Sequence, residues 1–301
     1  MPDFPPSYFI LGTQKGGTST LHYWLSQNPK ISLPKLKETH YFSHADRFAN
    51  GLDWYYHWFI PKGRNYIRGE VDPSYLFFPE TPSRIKALCP APKFIIILRD
   101  PLKRAYSQYL MSVQRGYEPL DFIQALEAEQ YRLDHDEKRF SFEHHSYLTR
   151  GNYSPQIQRY QEVFPDSMFL FLKFDDLYTP ESRRKMYHTI CDFIGVETSM
   201  DTIDLDSIIR QASTSRSTLI RDLVHRDLPI RKVGKRLIPF TNIRVKILTL
   251  LDYLNKKKIA QHHRLDIRTV PEEIKEKLNA GINSVQSLTH LDLDTWRYPV
   301  H

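Results

Sequence analysis

Residues 12 to 20 read Gly-Thr-Gln-Lys-Gly-Gly-Thr-Ser-Thr, directly behind the apolar run "SYFIL" and directly ahead of "LHYWLSQNP". Gly16 and Gly17, the ammonium of Lys15 and the hydroxyls of Thr18, Ser19 and Thr20 are the residue types of a strand-to-helix turn that wraps a phosphate. Backbone amides at the helix N-terminus point at the anion, and the hydroxyls add donors. The loop of nucleoside-triphosphate enzymes needs Gly, four residues, then Gly-Lys-Ser/Thr. Gly12 and Gly17 keep that glycine spacing, but Thr18 stands at the lysine position and the lysine is Lys15, inside the loop. The competing reading is a glycine turn with no ligand, which needs neither a lysine nor three hydroxyls.

A second segment, "LRDPLKRAYSQY" (98 to 109), repeats the arrangement of strand, turn and Pro-opened helix. Arg99 leaves the end of the strand and Ser107 follows about two helical turns on. Both can clasp a second phosphate, since the planar fork of arginine holds phosphate oxygens in pairs. Taken alone, the segment reads equally well as a capped helix with an Arg-Asp pair. Together the two segments describe phosphate sites at the ends of neighbouring parallel strands, where open α/β sheets bind ligands.

The elements that must hold these residues alternate short apolar strands with amphipathic helices. That pattern predicts an α/β fold with a central, mainly parallel sheet flanked by helices. Strands fit 7–11, 65–71, 93–100 and 168–174. Helices fit 18–28, ended by Asn28-Pro29, and "TPSRIKALCP", with Thr81 as cap and Pro82 at the first position. Another is opened by Pro101, and further helices fit 119–134, 154–163 and 180–194. The C-terminal third reads as helices over 215–227, 241–255 and 271–289. With no Ser- or Gly-rich linker, residues 1–301 read as one domain: an α/β core over 7–200 and a mainly helical part over 201–301.

The chain has 301 residues, 41% of them hydrophobic, enough for a substantial core. A net charge of +7 favours an anionic ligand or partner. The excess is concentrated between Arg210 and Arg264, where fourteen Lys and Arg face three Asp. Cys89 and Cys191 are too few for a disulfide framework and read as buried free thiols in a reducing compartment. "MPDFPPSY" has no secretory pattern and "FIIIL" (94–98) is far too short to span a bilayer. The expectation is a cytoplasmic protein with no integral membrane segment and no nucleic-acid partner; a catalytic domain cut from a Golgi-anchored protein is the alternative. The histidines show no metal-ligand spacing, so no metal is expected, and His144-His145 and His262-His263 read as surface pairs.

"QKGGTST" and "LRDPLKRAYSQY" together resemble the 5′- and 3′-phosphate-binding signatures of sulfotransferases that use 3′-phosphoadenosine 5′-phosphosulfate (PAPS). Between them "KLKETHYF" (35–42), "GLDWYYHWF" (51–59) and "GEVDPSYLF" (69–77) resemble, in order, segments of the heparan-sulfate-type (glycan) sulfotransferase domain. The resemblance is dense over 7–115 and weaker through "GNYSPQIQRYQEVFP" and "FLFLKFDDL". It is sparse after about 200, where Trp296 is family-like.

The resemblance implies a P-loop-like sulfotransferase fold and in-line transfer of the PAPS sulfonate to an acceptor hydroxyl or amine without a metal. It implies Lys15 at the bridging oxygen and Gly16, Gly17, Thr18, Ser19 and Thr20 around the 5′-phosphate. Arg99 and Ser107 would hold the 3′-phosphate. Glu38 in "KETHYF" would be the general base, with His40 beside it. The residues themselves leave Glu38 open as a loop acid paired with Lys35 or Lys37, and His40 open as a packed histidine. Arg216 in "RQASTSRSTL" (210–219) is the candidate for a further 3′-phosphate contact, and reads equally as an ordinary helix start.

One departure stands out. The family usually carries a lysine after the glutamate of "GEVDPSYLF"; here Val71 occupies that position, so the role is missing or falls to Lys37 or Arg68. The basic run 231–258 reads as a solvated helical face, an acceptor wall or a membrane-surface helix. The acceptor implied is a glycan, with a small metabolite, lipid or carrier-bound hydroxyl as the alternative. A nucleotide kinase or NTPase predicts a lysine at position 18, and a non-catalytic binder of nucleotide or sulfated glycan has no need of Glu38. Nothing in the sequence sets the oligomeric state.

Overall fold

The computed structural model describes residues 5–59, 66–198, 203–207, 213–215, 251, 256–258 and 265–300. Five parallel strands form its sheet: β1 (Tyr8–Gly12), β2 (Ile31–Ser32), β3 (Ile67–Val71), β4 (Lys93–Leu98) and β5 (Phe169–Lys173), in the spatial order β2-β3-β1-β4-β5. β1 lies between β3 and β4, with Ile10 opposite Val71 on one side and Ile95 on the other. The chain leaves β1 toward β2 and β3 and returns on its other side as β4. The loops after β1 and β4 therefore flank the point where strand order reverses, the ligand crevice of open α/β sheets.

β1 is buried along its whole length and β4 at all but Lys93, which is why both read as uninterrupted apolar runs. On one face of the sheet, Tyr8, Ile10, Val71, Ile95 and Ile97 pack with Leu21, Trp24 and Leu25 of α1 (Thr18–Ser26) and with Tyr187, Ile190 and Cys191 of α10 (Pro180–Ile194). Alternate residues form an aromatic layer, in which Phe94 meets Phe9 at 6.2 Å, Tyr160 at 5.2 Å and Phe164 at 4.8 Å between ring centroids. Cys89 and Cys191 are buried free thiols, as the sequence suggests.

The remaining described helices are α2 (Ala45–Phe48), α3 (Gly51–His57), α4 (Thr81–Leu88), α5 (Pro101–Arg115), α6 (Phe122–Glu127), α7 (Glu129–His135), α8 (Lys138–His144), α9 (Tyr153–Val163) and α11 (Glu272–Thr289). The helix expected over 18–28 ends at Ser26, and two further helix readings need correction. Glu80, not Thr81, flanks α4, and Thr81 is buried as its first residue. The helix expected over 119–134 is two helices, because the Asp121–Gln124 capping box starts α6 late and the chain breaks at Ala128. The helices expected over 215–227 and 241–255 lie almost wholly outside the described residues. Within those spans Leu251 is helical, and Ser215 ends strand β6 (Ser213–Ser215), which pairs antiparallel with β7 (Lys256–Lys258).

The backbone divides into two compact units. One comprises Met1–Pro101, Asn152–Arg210 and Glu272–His301, and contains the sheet, with α11 packed on α9. The other comprises Leu102–Gly151 and Gln211–Pro271. Its helices surround a buried polar network. Arg132 donates to both oxygens of Glu118 (2.6 and 3.1 Å), Tyr147 adds a bond of 2.7 Å, and Glu129 accepts the amides of Leu148 and Thr149. His144-His145, expected at the surface, is instead inside this unit. His144 packs on Tyr117 and Phe140 at 4.5 and 4.6 Å, and burial pushes it down to about 4. His145 is 6% exposed. The i, i+4 spacing of Phe140 and His144 puts the pair on the packed face of α8. His262-His263 lie outside the described residues.

Candidate active site

The loop between β1 and α1 is held by the backbone of β4 and by Arg99. Thr13 N–H donates to Ile97 O at 2.9 Å, Gly16 N–H to Thr13 O at 2.8 Å, and Arg99 Nη1–H to Lys15 O at 2.8 Å. Lys15 takes φ +67° and Gly17 φ +93°, so the chain reverses tightly before the helix. No side chain fits at Gly16, where a Cβ would sit 2.9 Å from both Ile97 O and Thr13 O. The amides of Gly17, Thr18 and Ser19 find no acceptor among the described residues, as the opening turn of a helix dictates. Thr13 Oγ1 and Gln14 Oε1 are buried there without hydrogen-bond partners among the described residues. Small residues, unspent amides and the unspent Thr13 hydroxyl together make a cradle for an anion.

Arg99 lines the same crevice. Its guanidinium lies 4.3 Å from the Phe174 ring centroid, and its Nε has no partner among the described residues. Burial pulls its pKa below the ordinary value, opposed by nearby Tyr178, Tyr153, Asp100 and Asp175, and an arginine in this state stays charged. Its backbone turn is fixed by Tyr153, whose hydroxyl donates to Arg99 O at 2.7 Å, and by Tyr298, whose hydroxyl donates to Asp100 Oδ1. Trp296 Nε1–H donates to Asp175 Oδ2 at 2.8 Å, so the C-terminal segment closes over the end of β5.

The segment carrying Glu38 and His40 is tied to β3 and its exit by two buried carboxylates, which hold Thr39 and His40. Asp72 follows β3 directly, and its amide donates to Ile10 O at 3.1 Å, beside the start of the loop. It accepts the amide of His40 at 2.8 Å and that of Ser74 at 3.0 Å, and lies 3.0 Å from His40 Nδ1. Glu70 accepts from Thr39 Oγ1 at 2.5 Å, Tyr55 OH at 2.6 Å and Tyr75 OH at 3.0 Å. Burial, and then the Asp72 charge, push Glu70 up to about 7 despite these bonds. Asp72 goes the other way: burial would raise it, but the His40 ring and the amide donors hold it below the ordinary carboxylate range. Glu38 itself is partly exposed and in contact with Lys37 Nζ, the pairing that the residues alone had left open.

Residues 5–219 match the sequence pattern of the sulfotransferase domain. The chain belongs to the sulfotransferase family. Membrane-associated sulfotransferase kil1 of Dictyostelium discoideum is 35% identical over 112 residues, covering 36% of this chain and 23% of that protein. Human bifunctional heparan sulfate N-deacetylase/N-sulfotransferase 3 is 31% identical over 202 residues, covering 64% of this chain and 22% of that protein. Mouse heparan sulfate glucosamine 3-O-sulfotransferase 5 is 28% identical over 174 residues, covering 58% and 49%. The chain thus spans half or less of the length of these curated relatives. The same fold is seen in a sulfotransferase from Alicyclobacillus acidocaldarius, with a TM-score of 0.66 at 24% identity, over 98% of this chain and 100% of that one.

Within this sulfotransferase domain, the structure brings together Lys15, Gly16, Gly17, Thr18, Ser19, Thr20 and Arg99, and separately joins His40 to the end of β3 beside that loop. Ser107 lies half-buried on α5 in the second unit, and Arg216 lies outside the described residues. Val71 is fully buried opposite Ile10, its side chain among the apolar residues of the sheet. Arg68, expected as one substitute for the missing lysine, stands three residues earlier on β3. It is 7% exposed and packed over Tyr56, Phe59 and Tyr66 with ring distances of 5.2 to 5.7 Å, so it does not reach the crevice end of the strand. Sequence reasoning passed over Glu70, Asp72, Tyr153 and Tyr298.

Among the described residues no helix is long and apolar enough to cross a membrane, and no three His, Cys, Asp or Glu side chains are grouped to hold a metal ion. A cavity of about 430 Å³ bounded by Pro6, Tyr8, Cys89 and Lys93 opens at the N-terminal ends of β1 and β4, remote from the loop.

Proposed function

We propose that this chain transfers the sulfonate of PAPS to an acceptor hydroxyl or amine, with a glycan as the acceptor. The observation that carries the reading is the β1–α1 cradle. Its glycine positions leave no room for a Cβ, its helix-opening amides are unspent, and a half-buried arginine is braced against it. Those features suit a phosphate bearing one further anionic group. They do not suit a β,γ-phosphate tail, since the lysine of the triphosphate loop is Thr18 here.

The loop amides with Thr18, Ser19 and Thr20 would hold the 5′-phosphate, and Arg99 the 3′-phosphate. Bound there, PAPS supplies an activated sulfonate and a bisphosphate leaving group. Lys15 is the cation of the loop and neutralises charge on the departing phosphate oxygen. Glu38 accepts the acceptor's proton, which requires its carboxylate to exchange Lys37 for the acceptor. His40 stands two residues on, tied to Asp72. The glycan acceptor draws support from the heparan sulfate relatives and from the net charge of +7.

The test is transfer of radiolabelled sulfonate from PAPS to desulfated heparan chains, to their de-N-acetylated form and to simple alcohols. Labelled polysaccharide that Lys15→Ala and Glu38→Gln abolish supports the reading. Label on the alcohols alone replaces the glycan by a small acceptor. No transfer to any of them by folded protein refutes it.

A further inference from the structure

Asp72 has no role in the reading above, yet it is fully buried at the crevice end of β3, and its pKa is held below the ordinary carboxylate range. All three of its described polar contacts are accounted for: the amide of Ser74, the amide of His40 and the ring of His40. Two of the three come from one residue, and that residue takes φ +53° to make them. A buried carboxylate in contact with an imidazole favours the charged form of the ring.

We propose that Asp72 is a positioning residue: it clamps the turn carrying Glu38 through the backbone of His40, and it holds the His40 imidazole as a standing cation two residues from that glutamate. The part played by this charge in sulfonate transfer rests on the proposed function; the pairing does not.

The other groups facing His40 are consistent with one cation there. His44 stacks on it at 4.6 Å with planes 9° apart, and its own Nδ1 lies 3.0 Å from Ser43 Oγ. Glu70 sits behind Asp72 with its oxygens turned to Thr39, Tyr55 and Tyr75. Arg84 is engaged on Phe42 O at 2.9 Å, and Lys37 on Glu38. Asp72, at 3.0 Å, is thus a carboxylate in direct contact with the ring.

The experiment is NMR titration of ring-labelled histidine in the full chain, with His40 assigned by its loss in His40→Gln. In the wild type, His40 titrates above the ordinary histidine value of about 6.5. In Asp72→Asn, which removes the charge and keeps an oxygen for one of the two amides, its midpoint falls by about one unit or more. An unshifted His40 in folded Asp72→Asn, or a wild-type midpoint below the ordinary value, overturns the proposal. The wild-type midpoint decides it even where the variant does not fold. In sulfonate transfer, the alkaline limb of the kcat profile moves to lower pH in Asp72→Asn while KM for PAPS is unchanged; a uniform loss at every pH overturns the role in catalysis. Where neither protein transfers sulfonate, the titration still decides the pairing, and it is the proposed function that falls.

Discussion

Replacing Glu70 by glutamine should change how stability depends on pH, and by an amount the structure sets. The carboxyl is fully buried, and burial with the neighbouring Asp72 charge raises it from 4.5 to about 7. The raised pKa means that the folded chain keeps a proton there which the unfolded chain releases. Below the unfolded value both states are protonated and the group is neutral to stability. Between 4.5 and about 7 only the folded state holds the proton, so stability falls as pH rises through that window.

Above the window, the loss approaches about 3 kcal/mol. Between about pH 5 and about pH 8 it amounts to about 2–3 kcal/mol. Glutamine keeps an oxygen for Thr39 and Tyr75 and has no proton to lose. Urea unfolding of both proteins at these two pH values therefore gives a difference between wild type and Glu70→Gln that shifts by about 2–3 kcal/mol in favour of the variant at the higher pH. His144, whose folded value is also displaced, is present in both proteins and cancels. Asp72 is displaced downward, so its window lies below 3.8, beneath the range compared. Parallel pH curves for the two proteins would show that Glu70 is already ionised when folded, and the burial argument would be wrong.

Gly16→Ala places a methyl group 2.9 Å from two backbone oxygens that cannot move aside, and is expected to cost about 1–3 kcal/mol in thermal unfolding while weakening nucleotide binding. Unchanged stability and binding would mean that the loop is not packed on β4 as described. Trp296→Phe removes the bond to the Asp175 carboxylate and should destabilise by about 1.5–3 kcal/mol, read from the urea midpoint. A smaller loss would mean that the C-terminal segment does not close over β5.

The strands β1 and β4 and the cradle between them were legible because burial on both faces leaves an unbroken apolar run, and a glycine-lysine-hydroxyl cluster at its end has few other uses. β2, only two residues long, carries no pattern to read. The clamp on the Glu38 turn was hidden because it joins His40 to Asp72, 32 residues apart, and nothing local marks such a pairing. A signal did exist. In Glu70-Val71-Asp72 two acids flank an apolar residue, so strand alternation puts both carboxylates on one face of a buried strand, and buried carboxylates require partners. The same rule explains Val71: it belongs to the apolar face and packs there. His144-His145 was misread because two polar neighbours say nothing about which helix face they occupy, whereas Phe140 one turn earlier did.

The central claim is that the β1–α1 loop and Arg99 bind the phosphates of PAPS. It is tested most directly by isothermal titration of 3′,5′-bisphosphoadenosine, in EDTA, into wild type, Lys15→Ala and Arg99→Ala. Saturable binding without metal by the wild type, at least tenfold weaker in Arg99→Ala because a buried charged contact of about 1.5–3 kcal/mol is lost, is the predicted result. Absence of binding by folded wild type, or equal affinity in all three proteins, would contradict it.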